Sequence, residues 1–191
     1  MIPGIIASSY FAASGAFESI ASAAGTGSSG TITFSSIPST YQHLQIRFVG
    51  KTTTNDSNVR LFIRLNGNTG SNYARHSLNG DGASVSAAGG SSQTSMVLSL
   101  TGGGTIIGSL PANVVGAGII DIHDYASTTK NTTIRAFSGV DTNNDANATG
   151  LINLDSGLFN DTSAINSITL YVDGLNFATT TQFALYGIKG A

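Results

Sequence analysis

The sequence has no cysteine, no tryptophan, only 3 prolines and very few charged residues. The lack of cysteine excludes a disulfide framework and a thiolate at any metal or catalytic site. Asp, Glu, Lys and Arg make up 9% of the 191 residues, whereas about a quarter is usual for a globular chain. The 8 Lys and Arg are scattered, which argues against a nucleic-acid partner because phosphate binding needs a basic stripe.

Two kinds of targeting segment are also missing. The first basic residue is Arg47, so the start of the chain lacks the positively charged region of a secretory signal. No apolar run reaches the roughly 20 residues that a membrane-spanning helix needs. We therefore expect a protein that is made in the cytoplasm and has no membrane partner.

Glycine, serine, threonine and asparagine are plentiful, while the helix formers are scarce. Hydrophobic residues make up 40% of the chain, which opposes disorder. Short segments of alternating hydrophobicity follow one another, with turn residues between them. The pattern predicts an all-β protein of roughly ten strands, an antiparallel β-sandwich of jelly-roll type. We expect a short N-terminal arm over residues 1–16 and a single domain over residues 17–191.

Individual strands can be read from their alternation. Residues 59–65 place four apolar side chains on one face, and the segment 119–123 places two on one face, with Asp121 and His123 opposite. The last segment, FALYGI, predicts a closing strand with Phe183 and Leu185 inward. Residues 79–92, rich in glycine and serine, predict a loop.

The arm is apolar and has no evident partner within a sandwich. Its first residues include Ile2, Pro3, Ile5 and Ile6. Because an apolar segment in water is a liability unless it docks, we expect these four residues to bind another protein.

Asp141, Asn143 and Asp145 are spaced two apart, as oxygen ligands are in a calcium loop. Glycine is missing at the sixth position of that pattern, where Ala146 stands, and glutamate at the twelfth, where Ile152 stands. Asn and Asp are also ordinary turn residues. These three are therefore weak metal candidates, and we predict neither a bound metal nor a cofactor.

No catalytic set stands out. Asp121, His123 and Asp124 lie close together and could serve a metal or an acid–base pair, but a hydrogen-bonded structural pair is the commoner role. No G-x-S-x-G motif is present, and Glu18 is the sole glutamate. The sequence thus predicts a protein that is not an enzyme.

Five tyrosines lie on or beside predicted strands, and they allow two interpretations. They could stack on sugars, or they could fill the core with their hydroxyl groups at its rim. The second interpretation is favoured because tyrosine is enriched in strands. The residues are Tyr41, Tyr73, Tyr125, Tyr171 and Tyr186.

Four stretches together resemble a family of small structural proteins of tailed bacteriophages that is common among aquatic phages. They are FESIASAAGTGSSGTITFSSIPSTYQHLQIRFVGK, LNGNTGSNYARHSLNGDG, IIDIHDYASTTKNTTIRAFSG and INSITLYVDGLNFATTTQFALYGIKG. The resemblance runs from about Phe17 to the end of the chain. It implies a β-sandwich module on the outer surface of a virion, with no catalytic residues and, by analogy, a homotrimeric state.

Several roles remain open within and beyond that resemblance. The family's tail-fibre members suggest adsorption to the host, whereas the lack of a fibrous shaft suggests a capsid decoration (cement) protein. In both cases the partners would be other virion proteins. A lectin-like module that binds a host cell-surface glycan is the alternative, and a polysaccharide depolymerase is a weaker one.

Overall fold

The computed structural model describes residues 15–54, 59–98, 110, 112–141 and 150–190. This part of the chain contains no helix and forms twelve strands. The short polar side chains and frequent glycines of the sequence suit strands and tight turns. The strands are β1 (Phe17–Ala24), β2 (Thr31–Phe34), β3 (His43–Gly50), β4 (Leu61–Leu65), β5 (Tyr73–Gly80), β6 (Val85–Gln93), β7 (Met96–Leu98), β8 (Gly116–His123), β9 (Thr132–Val140), β10 (Leu151–Phe159), β11 (Ile168–Val172) and β12 (Gln182–Ile188).

The strands form two antiparallel sheets, which confirms the predicted all-β sandwich. The large sheet has eight strands in the order β1-β12-β3-β8-β9-β10-β5-β6, and the small sheet has four in the order β2-β11-β4-β7. At about 4.8 Å per strand, the small sheet is only about half as wide as the large one. The jelly-roll connectivity stays a prediction.

The apolar core lies between the small sheet and the middle of the large one. Alternation places the apolar residues of β3, β4, β8, β11 and β12 inward, as the sequence predicts. Leu44, Ile46 and Ile120 are among the residues that the large sheet contributes, and Ile63 and Leu170 come from the small sheet. Burial of this continuous apolar layer is the main stabilising term of the fold.

The last strand is held on both sides. β12 pairs with β1 along one edge and with β3 along the other. The Phe183 ring stacks on Phe48 at 5.5 Å between centroids and meets Phe177 edge-on at 5.4 Å. The prediction that Phe183 and Leu185 face inward is confirmed, since both are buried.

The prediction of a loop over residues 79–92 is wrong for most of this segment. Residues 85–93 form β6, which pairs with β5 at the edge of the large sheet. The His76 ring of β5 lies against Gly89, where a Cβ atom would be 2.9 Å from His76 Cδ2. Glycine here lets a neighbouring side chain cover the strand, so a composition typical of loops is compatible with sheet pairing.

The predicted arm falls mainly outside the described residues, including Ile2, Pro3, Ile5 and Ile6. The described chain enters the sheet at β1, next to the other terminus. The Lys189 backbone N–H donates to the Ala16 carbonyl at 3.1 Å, and Lys189 Nζ pairs with Glu18 Oε1 at 2.5 Å. The two ends of the described chain are therefore joined to each other.

Candidate functional site

The most unusual feature of the large sheet is the reversed alternation of β10 and β5. The inner face of β10 carries Asn153 and Asp155, while Ile152, Leu154 and Leu158 point outward and are exposed. β5 has the same arrangement, with Arg75, Ser77 and Asn79 buried and Leu78 exposed. Antiparallel sheets normally place apolar residues on the core face. In the middle of these two strands the apolar residues face solvent instead, although Tyr73, Leu151 and Phe159 at the strand ends are buried.

The orientation of β10 and β5 is fixed by the packing of a few residues on their inner face. Tyr73 and Phe159 are buried and lie 4.9 Å apart between ring centroids, and Tyr73 Oη accepts a hydrogen bond from the Leu65 N–H at 2.9 Å. Gly157 leaves room for Met96, since a Cβ atom there would lie 2.1 Å from Met96 Sδ. A slip by one residue would move every side chain to the other face and lose these contacts.

The inner face of β10 and β5 consequently holds a buried polar cluster. Asn153 is 0% exposed, and within the described part of the chain neither its Oδ1 nor its Nδ2 has a hydrogen-bond partner. Arg75 donates from an Nη nitrogen to Ser77 Oγ at 3.2 Å. Burial lowers the pKa of Arg75, and the nearby Asp155 opposes that shift. These groups lose hydration on folding and weaken the interior.

The outer side chains of four neighbouring strands form one continuous row. Ile119 of β8 pairs with Phe137 of β9, Phe137 with Leu154 of β10, and Leu154 with Leu78 of β5. Directly paired residues have Cβ atoms only about 5 Å apart, so these side chains are in contact. We call this row, together with the two further exposed apolar residues of β10, the apolar face: Ile119, Phe137, Leu154, Leu78, Ile152 and Leu158.

A polar network borders the apolar face. Arg47 Nε donates to Gln45 Oε1 at 2.8 Å, and Gln45 Nε2 donates to Asp121 Oδ1 at 2.8 Å. Arg135 lies beside Asp121, with 3.8 Å between an Nη nitrogen and Oδ2, and its Nε donates to His123 Nε2 at 3.1 Å. Within this network Asp121 is paired with Arg135, and Arg47 is connected to Asp121 through the neutral Gln45.

The two histidines at the end of the network come from neighbouring strands. His43 and His123 have ring centroids 5.1 Å apart, and His43 Nδ1 accepts the Asp124 N–H at 3.0 Å. Because His123 Nε2 also accepts a hydrogen bond, each imidazole has its lone pair occupied. Burial is the main cause that lowers the pKa of His123, and the charge of Arg135 lowers it further. Neither ring offers a nitrogen to a metal or to a substrate proton in this arrangement.

Asp124 ends the cluster at a turn. Its backbone has a φ of 50°, and its carboxylate accepts a hydrogen bond from Lys130 Nζ at 2.8 Å, which lowers the pKa of Asp124. The sequence correctly predicts that Asp121 and His123 share a face of β8. Asp124 follows the end of that strand, and its contacts are with Lys130 and His43. The geometry favours the hydrogen-bonded structural role for this group over acid–base chemistry.

No family model, curated protein or solved structure matches this chain.

Two of the three weak cation candidates lie outside the residues that the structure describes. Asp141 is exposed just after β9, and Asn143 and Asp145 lie outside the described residues. Among residues 15–54, 59–98, 110, 112–141 and 150–190, no three His, Asp or Glu side chains converge as metal ligands. The same residues include no helix that could span a membrane.

The five tyrosines are engaged by the protein itself. Tyr73 and Tyr125 are buried, with hydroxyl groups that bond to Leu65 and to the Pro38 carbonyl. The Tyr171 ring stacks on Phe62 at 4.8 Å and lies 4.6 Å from the Arg64 guanidinium carbon.

Tyr41 donates from its hydroxyl to Glu18 at 3.1 Å, and the Tyr186 ring lies under Arg47 at 5.3 Å. Every one of these rings or hydroxyl groups already has a protein partner. This favours the packing role for the tyrosines over sugar stacking.

Sequence reasoning missed the apolar face. The alternation of Ile152 and Leu154 with Asn153 and Asp155 is visible in the sequence, but by itself it places the apolar side inward. Only the contacts of Gly157 and Phe159 reverse that orientation.

Proposed function

We propose that this chain is a non-enzymatic structural subunit on the outer surface of a tailed-phage virion, where it acts through contacts with other protein subunits. The apolar face carries the proposal. Phe137 and Leu154 are 56% and 53% exposed, and a contiguous patch of this kind marks an interaction site on soluble proteins.

The rest of the surface supports the same role. It is polar with few charges, and the net charge of −2 gives little repulsion between copies. The resemblance to phage structural proteins supplies the setting, and by analogy a homotrimer. The tail-fibre and the capsid-decoration roles both stay within this proposal.

Quantitative mass spectrometry of purified particles of the encoding phage tests the proposal. Hundreds of copies of the chain per particle would identify a capsid decoration protein, and a few to a few dozen would identify a tail component. A chain that is expressed during infection but absent from purified particles would refute the virion role.

The N-terminal arm is the proposed anchor to the particle. A variant with Ile2, Ile5 and Ile6 replaced by serine keeps the length of the arm and removes its apolar side chains. We expect that it folds normally and fails to incorporate into particles, as should a chain that lacks residues 1–15. Incorporation of both variants at normal copy number would refute the docking role.

A further inference from the structure

We propose that the apolar face is the interface at which a second copy of this chain packs. This inference rests on the proposed structural role and names the surface that performs the assembly. The observation behind it is the orientation of two strands. β10 buries Asn153 and Asp155 and exposes leucine and isoleucine, and β5 likewise exposes Leu78. In an isolated chain these outward apolar side chains stay in water, whereas a chain whose outer face is covered buries both sides of these strands.

The size of the sheet matches what stable association needs. The apolar face lies within four strands and the length of β10 from Ile152 to Leu158, roughly 20 Å by 20 Å, or on the order of 400 Å². This area also includes Ser156 and Arg135, which pair between Leu154 and Leu158. The whole outer face of the eight-stranded sheet measures about 1,000 Å² by the same spacings. A standard interface buries about 800 Å² per partner, so one copy of this sheet can supply it.

The charges beside the apolar face are few enough to permit packing against a second copy. Asp121 pairs with Arg135 and with Gln45, while Arg47 reaches the network through the neutral Gln45, so the border carries about one positive charge. The net charge of the whole chain is only −2, so repulsion between copies is small and does not oppose a symmetric homo-oligomer.

The shape of the face and the adjoining strand also fit a second copy. Phe137 projects beside a shallow depression of about 300 Å³ that has an apolar side, with Ile119 and Leu154, and a polar side, with Gln45, Asp121 and Arg135. A symmetry-related aromatic ring is a suitable occupant, because it can pack on the apolar side and lie over the Arg135 guanidinium. Next to the face, β6 is a nine-residue edge strand without a charged residue, and among the described strands it pairs only with β5. Long uncharged edges invite pairing with another chain, so a neighbouring copy would also cover β6.

The test is the mass of the full chain in solution. We expect sedimentation of the wild-type chain at micromolar concentration to give a mass of two or more times 19.4 kDa, in a whole-number multiple. Phe137→Glu and Leu154→Glu should each reduce it to 19.4 kDa, because a buried unpaired carboxylate disfavours the interface. Far-UV circular dichroism establishes that each variant is folded, and Leu154→Thr, which keeps strand propensity, replaces any variant that is not.

Thr33→Glu is the control. Thr33 is exposed on β2 of the small sheet, away from the outer face of the large sheet, and this variant should keep the wild-type mass. A monomeric wild-type chain, or Phe137→Glu and Leu154→Glu variants with the wild-type mass, would overturn the proposed interface. A monomer that is nevertheless found in particles would overturn only this inference, whereas an oligomer absent from particles would overturn only the virion role.

Discussion

Truncation of Phe183 to alanine tests the assignment of the C-terminal segment as a central strand of the sandwich. Phe183 is 1% exposed and lies between the rings of Phe48 and Phe177. Removal of a fully buried phenyl ring from a core costs about 3–5 kcal/mol. Because two aromatic contacts are lost together, we expect a loss of about 4 kcal/mol, a large part of the stability of a typical domain.

The assay is urea denaturation at one fixed protein concentration. For an m value of about 2 kcal/mol/M, the expected loss lowers the urea midpoint by about 2 M. Phe17→Ala removes the same ring from an exposed site, where it lies 5.4 Å from the Arg47 guanidinium carbon. That change should cost about 1 kcal/mol or less.

Three variants together test whether Phe183 lies in the core. If Phe183→Ala does not fold, Phe183→Leu should fold and lose about 1–2 kcal/mol, because it retains most of the volume. If Phe183→Ala loses less than about 1.5 kcal/mol at an unchanged m value, or if Phe17→Ala loses as much, the closing-strand assignment is refuted.

Three more changes probe the interior and the histidine cluster. Gly118→Ala should cost about 1–3 kcal/mol in urea denaturation, because its Cβ would lie 2.6 Å from a phenyl carbon of β3; Gly80→Ala, with no atom closer than 4.0 Å, should be near neutral. Asn153→Leu should be neutral or stabilising in the same assay, since the buried amide has no hydrogen-bond partner among the described residues; a loss above about 2 kcal/mol would contradict this. The pKa of His123 lies below 6.5 in the folded chain, through burial and the charge of Arg135, so its contribution to stability is complete above about pH 6.5 and is lost as the pH falls through the folded pKa. Between pH 7.5 and pH 5.0 the melting temperature of His123→Gln should therefore fall less than that of the wild type, and an equal fall would contradict the assignment.

For strands whose apolar residues face the core, the alternation in the sequence correctly predicts which side chains are buried. Leu61, Ile63 and Leu65 of β4 and Phe183 and Leu185 of β12 are buried as their alternation indicates. The physical reason is that burial of an apolar side chain stabilises the fold and decides which face is inside.

The same reasoning does not extend to β10. Alternation separates Ile152 and Leu154 from Asn153 and Asp155 and by itself places the apolar pair inside, but in the structure the polar pair is inside. Contacts with other strands decide it, through the fit of Met96 over Gly157. Such contacts join residues far apart in sequence, so a local pattern cannot predict them.

For the candidate site, too, the sequence predicts what lies on one strand but not what different strands bring together. The common face of Asp121 and His123 can be predicted because both lie on β8. His43 and Arg135 complete the cluster from β3 and β9, and only the strand order brings them there. The edge strand β6 was missed because glycine and serine carry no periodic signal.

Hydroxyl-radical footprinting of Phe137 in intact purified particles tests the central claim most directly. The reference is the folded Leu154→Glu chain, in which the Phe137 ring is expected to be uncovered. If the chain is a virion subunit whose apolar face is covered by assembly, Phe137 in particles should be oxidised several-fold more slowly than in the reference. Equal oxidation, or no peptide of this chain in the particles, would contradict the account.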